Sequence, residues 1–118
     1  MYNITMYETE QGLCPCERLF ESLEPKLKAK VFRMIKMLEA NGPYLREPYS
    51  KCIEKGLYEL RIKQGSNIVR VLFFYSSNNS IILINGFVKK TQKTPKLEIK
   101  LAMKYKNDYE RRCDNEKF

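Results

Sequence analysis

The side chains of this sequence best suited to chemistry are Arg61 and Arg70, Glu59 close to the first of them, and a lysine-rich stretch over residues 85–96. The stretch reads Asn85-Gly86-Phe87-Val88-Lys89-Lys90-Thr91-Gln92-Lys93-Thr94-Pro95-Lys96, with Lys89, Lys90, Lys93 and Lys96 crowded into its second half. Arginine and lysine hold phosphate oxygens through charge-assisted hydrogen bonds. Phe87 can stack on a base, and the hydroxyls and amide between the lysines can bond phosphates. The pattern suits an anionic partner, nucleic acid above all. A lysine-rich loop that serves only solubility would look similar, so the position of the arginines beside it matters.

That position depends on the strands. Residues 57–63, 68–75 and 80–87 are strand patterns, and Gln64-Gly65-Ser66-Asn67 and Ser76-Ser77-Asn78-Asn79 are turn-rich separators short enough for an antiparallel meander. Side chains alternate across a strand. One face then carries Tyr58, Leu60, Ile62, Val69, Val71, Phe73, Tyr75, Ile82 and Ile84, all apolar or aromatic. The other carries Glu59, Arg61, Lys63, Ile68, Arg70, Leu72, Phe74, Leu83, Asn85 and Phe87. With four-residue loops at both turns, Arg61 lies opposite Arg70 and Arg70 opposite Asn85. Like charges directly opposite cost a sheet roughly some tenths of a kcal/mol. Two arginines there are either neutralised by Glu59, one diagonal step away, on a solvated face, or they hold a bound anion.

Further elements must support that sheet. Tyr2, Ile4 and Met6 alternate with polar neighbours as in a strand, and Pro15 suits the first turn of a short helix with Leu19, Phe20 and Leu23 on its apolar side. Pro25 opens a second helix, with Leu27, Val31, Met34, Ile35 and Leu38 at the spacing of a buried stripe and Asn41-Gly42-Pro43 as its stop. Residues 43–56 read as a loop. Beyond Pro95 a last helix is predicted, its stripe formed by Leu97, Leu101, Tyr105 and Tyr109. The expectation is an α+β fold in one domain over residues 1–118: an N-terminal strand and helix pair packed on an antiparallel meander, then a C-terminal helix.

Composition sets the outer limits. Hydrophobic residues make up 43% of the 118 and charged residues 31%, a globular balance. The apolar runs are strand-sized, so no membrane partner is expected, and residues 1–11 lack the pattern of a secretory signal; both point to the cytoplasm. The net charge is +8 with no histidine, and the excess is concentrated after residue 84, where ten basic face five acidic side chains. An anionic partner such as RNA, DNA or an acidic protein fits that asymmetry. Cys14, Cys16, Cys52 and Cys113 lack the spacing of a zinc site and read as free thiols, so neither metal nor cofactor is expected.

Three segments together, Gly56-Leu57-Tyr58-Glu59-Leu60-Arg61, Val69-Arg70-Val71-Leu72-Phe73-Phe74 and Gly86-Phe87-Val88-Lys89-Lys90-Thr91-Gln92-Lys93-Thr94-Pro95, resemble the phage-derived, HigB-like branch of the RelE/ParE toxin superfamily. The resemblance runs over nearly the whole chain and implies a RelE-like fold. It also implies a type II toxin whose partners are a cognate helix-turn-helix antitoxin, mRNA and the ribosome. HigB- and RelE-like members cleave mRNA on the ribosome without metal, the 2′-hydroxyl attacking the adjacent phosphate and the 5′-oxygen leaving. Carried onto this sequence, Arg61, Arg70, Lys89 and Lys90 are the candidate catalytic cations, able to stabilise a pentavalent phosphate by charge. Glu59 could take the 2′-hydroxyl proton, as could a lysine. Asn85, Phe87, Lys93, Lys96 and Lys63 are the candidate RNA-binding residues. The family also contains ParE-like poisons of DNA gyrase, and a non-enzymatic nucleic-acid-binding module would carry the same basic face. The absence of histidine removes any mechanism that uses an imidazole.

Overall fold

The computed structural model describes residues 1–89 and 94–116. Its elements run β1 (Asn3–Met6), α1 (Pro15–Ser22), α2 (Pro25–Asn41), β2 (Ser50–Glu54), β3 (Leu57–Gln64), β4 (Asn67–Ser76), β5 (Ser80–Lys89) and α3 (Lys96–Glu116). Both α1 and α2 open on proline, where a missing N–H costs nothing. Leu27, Val31, Met34 and Leu38 form the buried side of α2.

The five strands make one mixed sheet in the order β1-β5-β4-β3-β2, with β1 parallel to β5 and the other neighbours antiparallel. Helices cover both faces. Cys16, Phe20 and the α2 stripe pack on Leu60, Ile62, Val69, Val71, Phe73, Ile81 and Leu83. On the opposite face, Ala102, Ile99, Met103, Tyr105 and Tyr109 of α3 pack with Leu57, Leu72, Phe74, Ile82 and Ile84. This is the α+β architecture expected from the sequence and is consistent with a RelE-like fold. No helix among the described residues is long and apolar enough to cross a membrane.

Three expectations need correction. Residues 43–56 are not all loop, because Ser50–Glu54 forms the edge strand β2, joined to β3 through Lys55 and Gly56, the latter at φ 79°. In β5, Ile81 and Leu83 face α1 and α2, while Ile82 and Ile84 face α3, the reverse of the alternation assumed above. The cause is a tighter turn: Ser76 pairs with Ser80, with Asn78 and Asn79 both at positive φ, so the register moves by one. On α3, Leu97 is 79% exposed and Leu101 is exposed too, and the sheet-facing stripe runs through Ile99, Ala102 and Met103 instead.

Candidate functional site

The expected pairing of Arg61 with Arg70 is present, and so is that of Lys63 with Ile68. The partner of Arg70 on β5 is Phe87, not Asn85. A bulge follows the short turn, since Leu72 pairs with Asn85 and Phe73 with Leu83, leaving Ile84 as the extra residue. The two single-residue shifts add, so Asn85 and Phe87 keep the expected face while their partners change. Three rows result on the α3 side: Lys63, Ile68, Lys89; then Arg61, Arg70, Phe87; then Glu59, Leu72, Asn85.

Glu59 organises the middle of this surface. It is 2% exposed, and Arg70 is 1% exposed. Arg70 Nη1 donates to Glu59 Oε1, and Arg61 Nε lies 3.3 Å from the same oxygen. The Thr94 hydroxyl donates to Glu59 Oε2 and accepts from Arg70 Nη1 at 3.4 Å. Both carboxylate oxygens are therefore engaged. A buried ion pair is tolerated only with such hydrogen bonds, because the desolvation of each ion costs several kcal/mol (roughly) before they are formed.

Asn85, also buried, ties the same region to α3 through Nδ2 to Glu98 Oε2 at 3.3 Å. Its Oδ1 has no hydrogen-bond partner among the described residues. Glu98 lies in the first turn of α3, where a carboxylate is favoured by the helix dipole.

Around Glu59 lies an open pocket of about 380 Å³ whose wall includes Lys51, Glu59, Arg61, Arg70, Thr94 and Lys96. Glu54 also borders it, so among the described residues four cations face two carboxylates. Electrostatically the pocket suits an anion small enough to enter, and Lys51, Arg61 and Arg70 are preorganised by strand pairing while Lys96 opens α3.

The structure thus brings Glu59, Arg61, Arg70 and Lys96 together in one pocket wall. Lys63 and Lys89 flank Ile68 at the end of the sheet, both exposed. Phe87 is half-buried and packs on the α3-side core rather than standing free as a stacking platform. Lys90 and Lys93 lie outside the described residues. Lys51 and Thr94 also contribute to this wall. Lys51 pairs with Glu59 from β2, and its signal was the Lys55-Gly56 turn that makes a hairpin of residues 50–64. Thr94, one hydroxyl of the lysine stretch, bonds Glu59 only in the folded arrangement.

Among the described residues, no three His, Cys, Asp or Glu side chains gather to hold a metal ion. The cysteines are free thiols, and burial pushes the Cys16 thiol well above its ordinary pKa. Comparison with curated proteins finds no match. The family model described as "Phage derived protein Gp49-like (DUF891)" matches residues 18–107, a span that contains every strand from β2 to β5 and the whole Glu59, Arg61, Arg70 and Thr94 cluster. The chain belongs to this phage-derived Gp49-like family, within the RelE/HigB-like group of toxin–antitoxin toxins.

Proposed function

We propose that the chain is the toxin of a type II toxin–antitoxin pair, one domain over residues 1–118, and that it cuts mRNA on the ribosome in the manner of HigB. The observation that carries this reading is a buried, glutamate-held Arg70 in the wall of an open pocket that also presents Arg61, Lys51 and Lys96. Membership of a toxin-like family supports the same role.

In the proposed reaction an RNA phosphate enters the pocket. The 2′-oxygen attacks the adjacent phosphorus, the bond to the 5′-oxygen breaks, and the proton lost from the 2′-hydroxyl is balanced by one given to that 5′-oxygen. Arg61, the more exposed of the two arginines, neutralises the charge that grows on the phosphate oxygens, the term that usually dominates such catalysis, while the buried Arg70 adds its field from beneath. Glu59 positions the two guanidinium groups; burial and two occupied oxygens keep it from the substrate. Among the described residues of the pocket wall, Lys51, Lys96 and Glu54 are then the groups placed to move protons. Lys63 and Lys89 guide the strand at the sheet's end. A helix-turn-helix antitoxin restrains the toxin by covering the pocket.

The test is expression in a host with ribosome-bound transcripts mapped at their 5′ ends. Growth arrest with cut transcripts is expected, and Arg61→Ala should remove both. Arrest with intact transcripts overturns the nuclease, and DNA damage preceding any loss of translation would point to a gyrase poison instead.

A further inference from the structure

The sheet order leaves β2 at one end, and among the described residues no strand pairs with its outer edge. The Arg61 N–H donates to Tyr49 O at 2.8 Å, and beyond it Ser50 pairs with Leu60, Lys51 with Glu59 and Cys52 with Tyr58. In an antiparallel ladder, residues that bond the neighbouring strand alternate with residues that do not. Counted from Tyr49, Lys51 turns its N–H and C=O towards β3, and Cys52 turns its own outward. Two cavities open on this edge, one on each face of the sheet. On the α3 side lies the pocket of about 380 Å³ around Glu59. On the α2 side lies one of about 300 Å³, walled by Pro43, Leu45, Tyr58 and Tyr75. Lys51 and Cys52 belong to both walls.

We infer that the outer edge of β2 takes an extended segment of a partner protein in which carboxylate and apolar side chains alternate, a carboxylate entering the cationic pocket. The inference rests on the phosphate reading of that pocket and states how a protein closes it. An added strand sends successive side chains to opposite faces, so neighbours along it reach the two cavities in turn. The cavities differ in chemistry. With Glu59 and Glu54 counted against its cations, the α3-side wall keeps an excess of two positive charges among the described residues. In the α2-side wall Arg46 and Glu47 balance each other, and apart from the shared Lys51 the rest is mostly apolar or aromatic. An RNA strand has no row of amide donors and acceptors for a strand edge, and a wholly apolar segment leaves the positive excess unanswered. The register shift between Cys52 and Glu54 ends regular pairing, so the added strand is short and its two side-chain anchors supply the specificity. A segment seated this way competes with a phosphate for the same charges.

An octapeptide that alternates glutamate and leucine tests this against two controls. One has the same composition in two blocks, and the other is the alternating peptide N-methylated throughout, which keeps the charges and loses every backbone donor. At ten times its own Kd the alternating peptide should slow exchange of the Cys52 amide about tenfold, from the fraction of sites it occupies. By the same occupancy it should raise the apparent Kd of a 2′-O-methyl oligonucleotide, which cannot be cut, about tenfold. Neither control should do either at that concentration. Controls that displace the oligonucleotide equally well would show that charge alone acts, and overturn the added strand. An alternating peptide that fails to bind, or that protects Cys52 without displacing the oligonucleotide, overturns the inference while the phosphate reading stands. A folded wild type that binds neither peptide nor oligonucleotide overturns both.

Discussion

Arg70 and Glu59 leave water together, so each is held in place by the other's charge. Removing one partner strands the second. Arg70→Ala should therefore cost about 3–5 kcal/mol, the range for a broken buried pair, read as a lower urea midpoint. An unchanged midpoint would mean that Arg61 and Thr94 compensate fully. Arg61 differs, since its side chain keeps 22% of its exposure. Arg61→Ala should cost no more than about 1 kcal/mol yet abolish growth arrest, which makes it the cleaner functional probe. Gly86 is a third sensitive position. A Cβ there would lie 2.6 Å from the Arg70 carbonyl oxygen and 2.7 Å from Leu19 Cδ2. The leucine could turn aside, but the strand carbonyl could not. Gly86→Ala should thus destabilise by about 1–3 kcal/mol, as overpacked sites do, and a melting temperature equal to the wild type's would show that β4 and β5 can part at no cost.

At the scale of elements, α3 is fastened at both ends. Glu98 to Asn85 and Thr94 to Glu59 hold its start, and Tyr7 holds its second half by donating to Asp108 Oδ2 at 2.5 Å. Arg111 and Arg112 pair with the same aspartate at 2.6 and 2.9 Å. The Tyr7 bond, with help from both arginines, holds the Asp108 carboxyl below its usual value. Burial, then the bond to Asp108, pushes the Tyr7 phenol up to about 12. A depressed carboxylate contributes stability that is present above its ordinary pKa of about 3.9 and lost as pH falls through the lower folded value. A raised phenol contributes stability present below about 10 and lost as pH climbs towards about 12. Amide exchange in α3 should therefore quicken at both extremes, and Tyr7→Phe should flatten the alkaline limb. An acid limb identical in Asp108→Asn would refute the assignment. Much of this architecture was legible in the sequence, because α2 has a clean buried stripe and Arg61 faces Arg70 across a turn containing Gly65. Less visible were features that local pattern does not settle. Ser50–Glu54 is a short, largely exposed edge strand whose partner supplies its order, and the turn at Asn78 and the bulge at Ile84 depend on backbone geometry. α3 offers apolar residues on two sides, and contact with the sheet selects Ile99 and Ala102 over Leu97 and Leu101. At the site, Glu59 and the arginines could be read from strand parity, whereas Lys51 and Thr94 required the tertiary arrangement.

For the whole molecule the deciding quantity is where the excess charge sits. The chain carries +8, yet surface lysines spread evenly would bind polyanions weakly and without register. Here, among the described residues, the pocket holds two more cations than carboxylates, and Lys63 and Lys89 stand at the end of the same sheet face. Four phosphates neutralised by that set should make log K for a single-stranded oligonucleotide fall with log salt at a slope of about −3, from roughly −0.7 per phosphate contact. Lys89→Ala should reduce the slope by about one contact's share. A titration repeated at several salt concentrations reads the slope from one set of curves. If Lys89→Ala left the slope untouched, the strand would leave the pocket by another route than the end of β5.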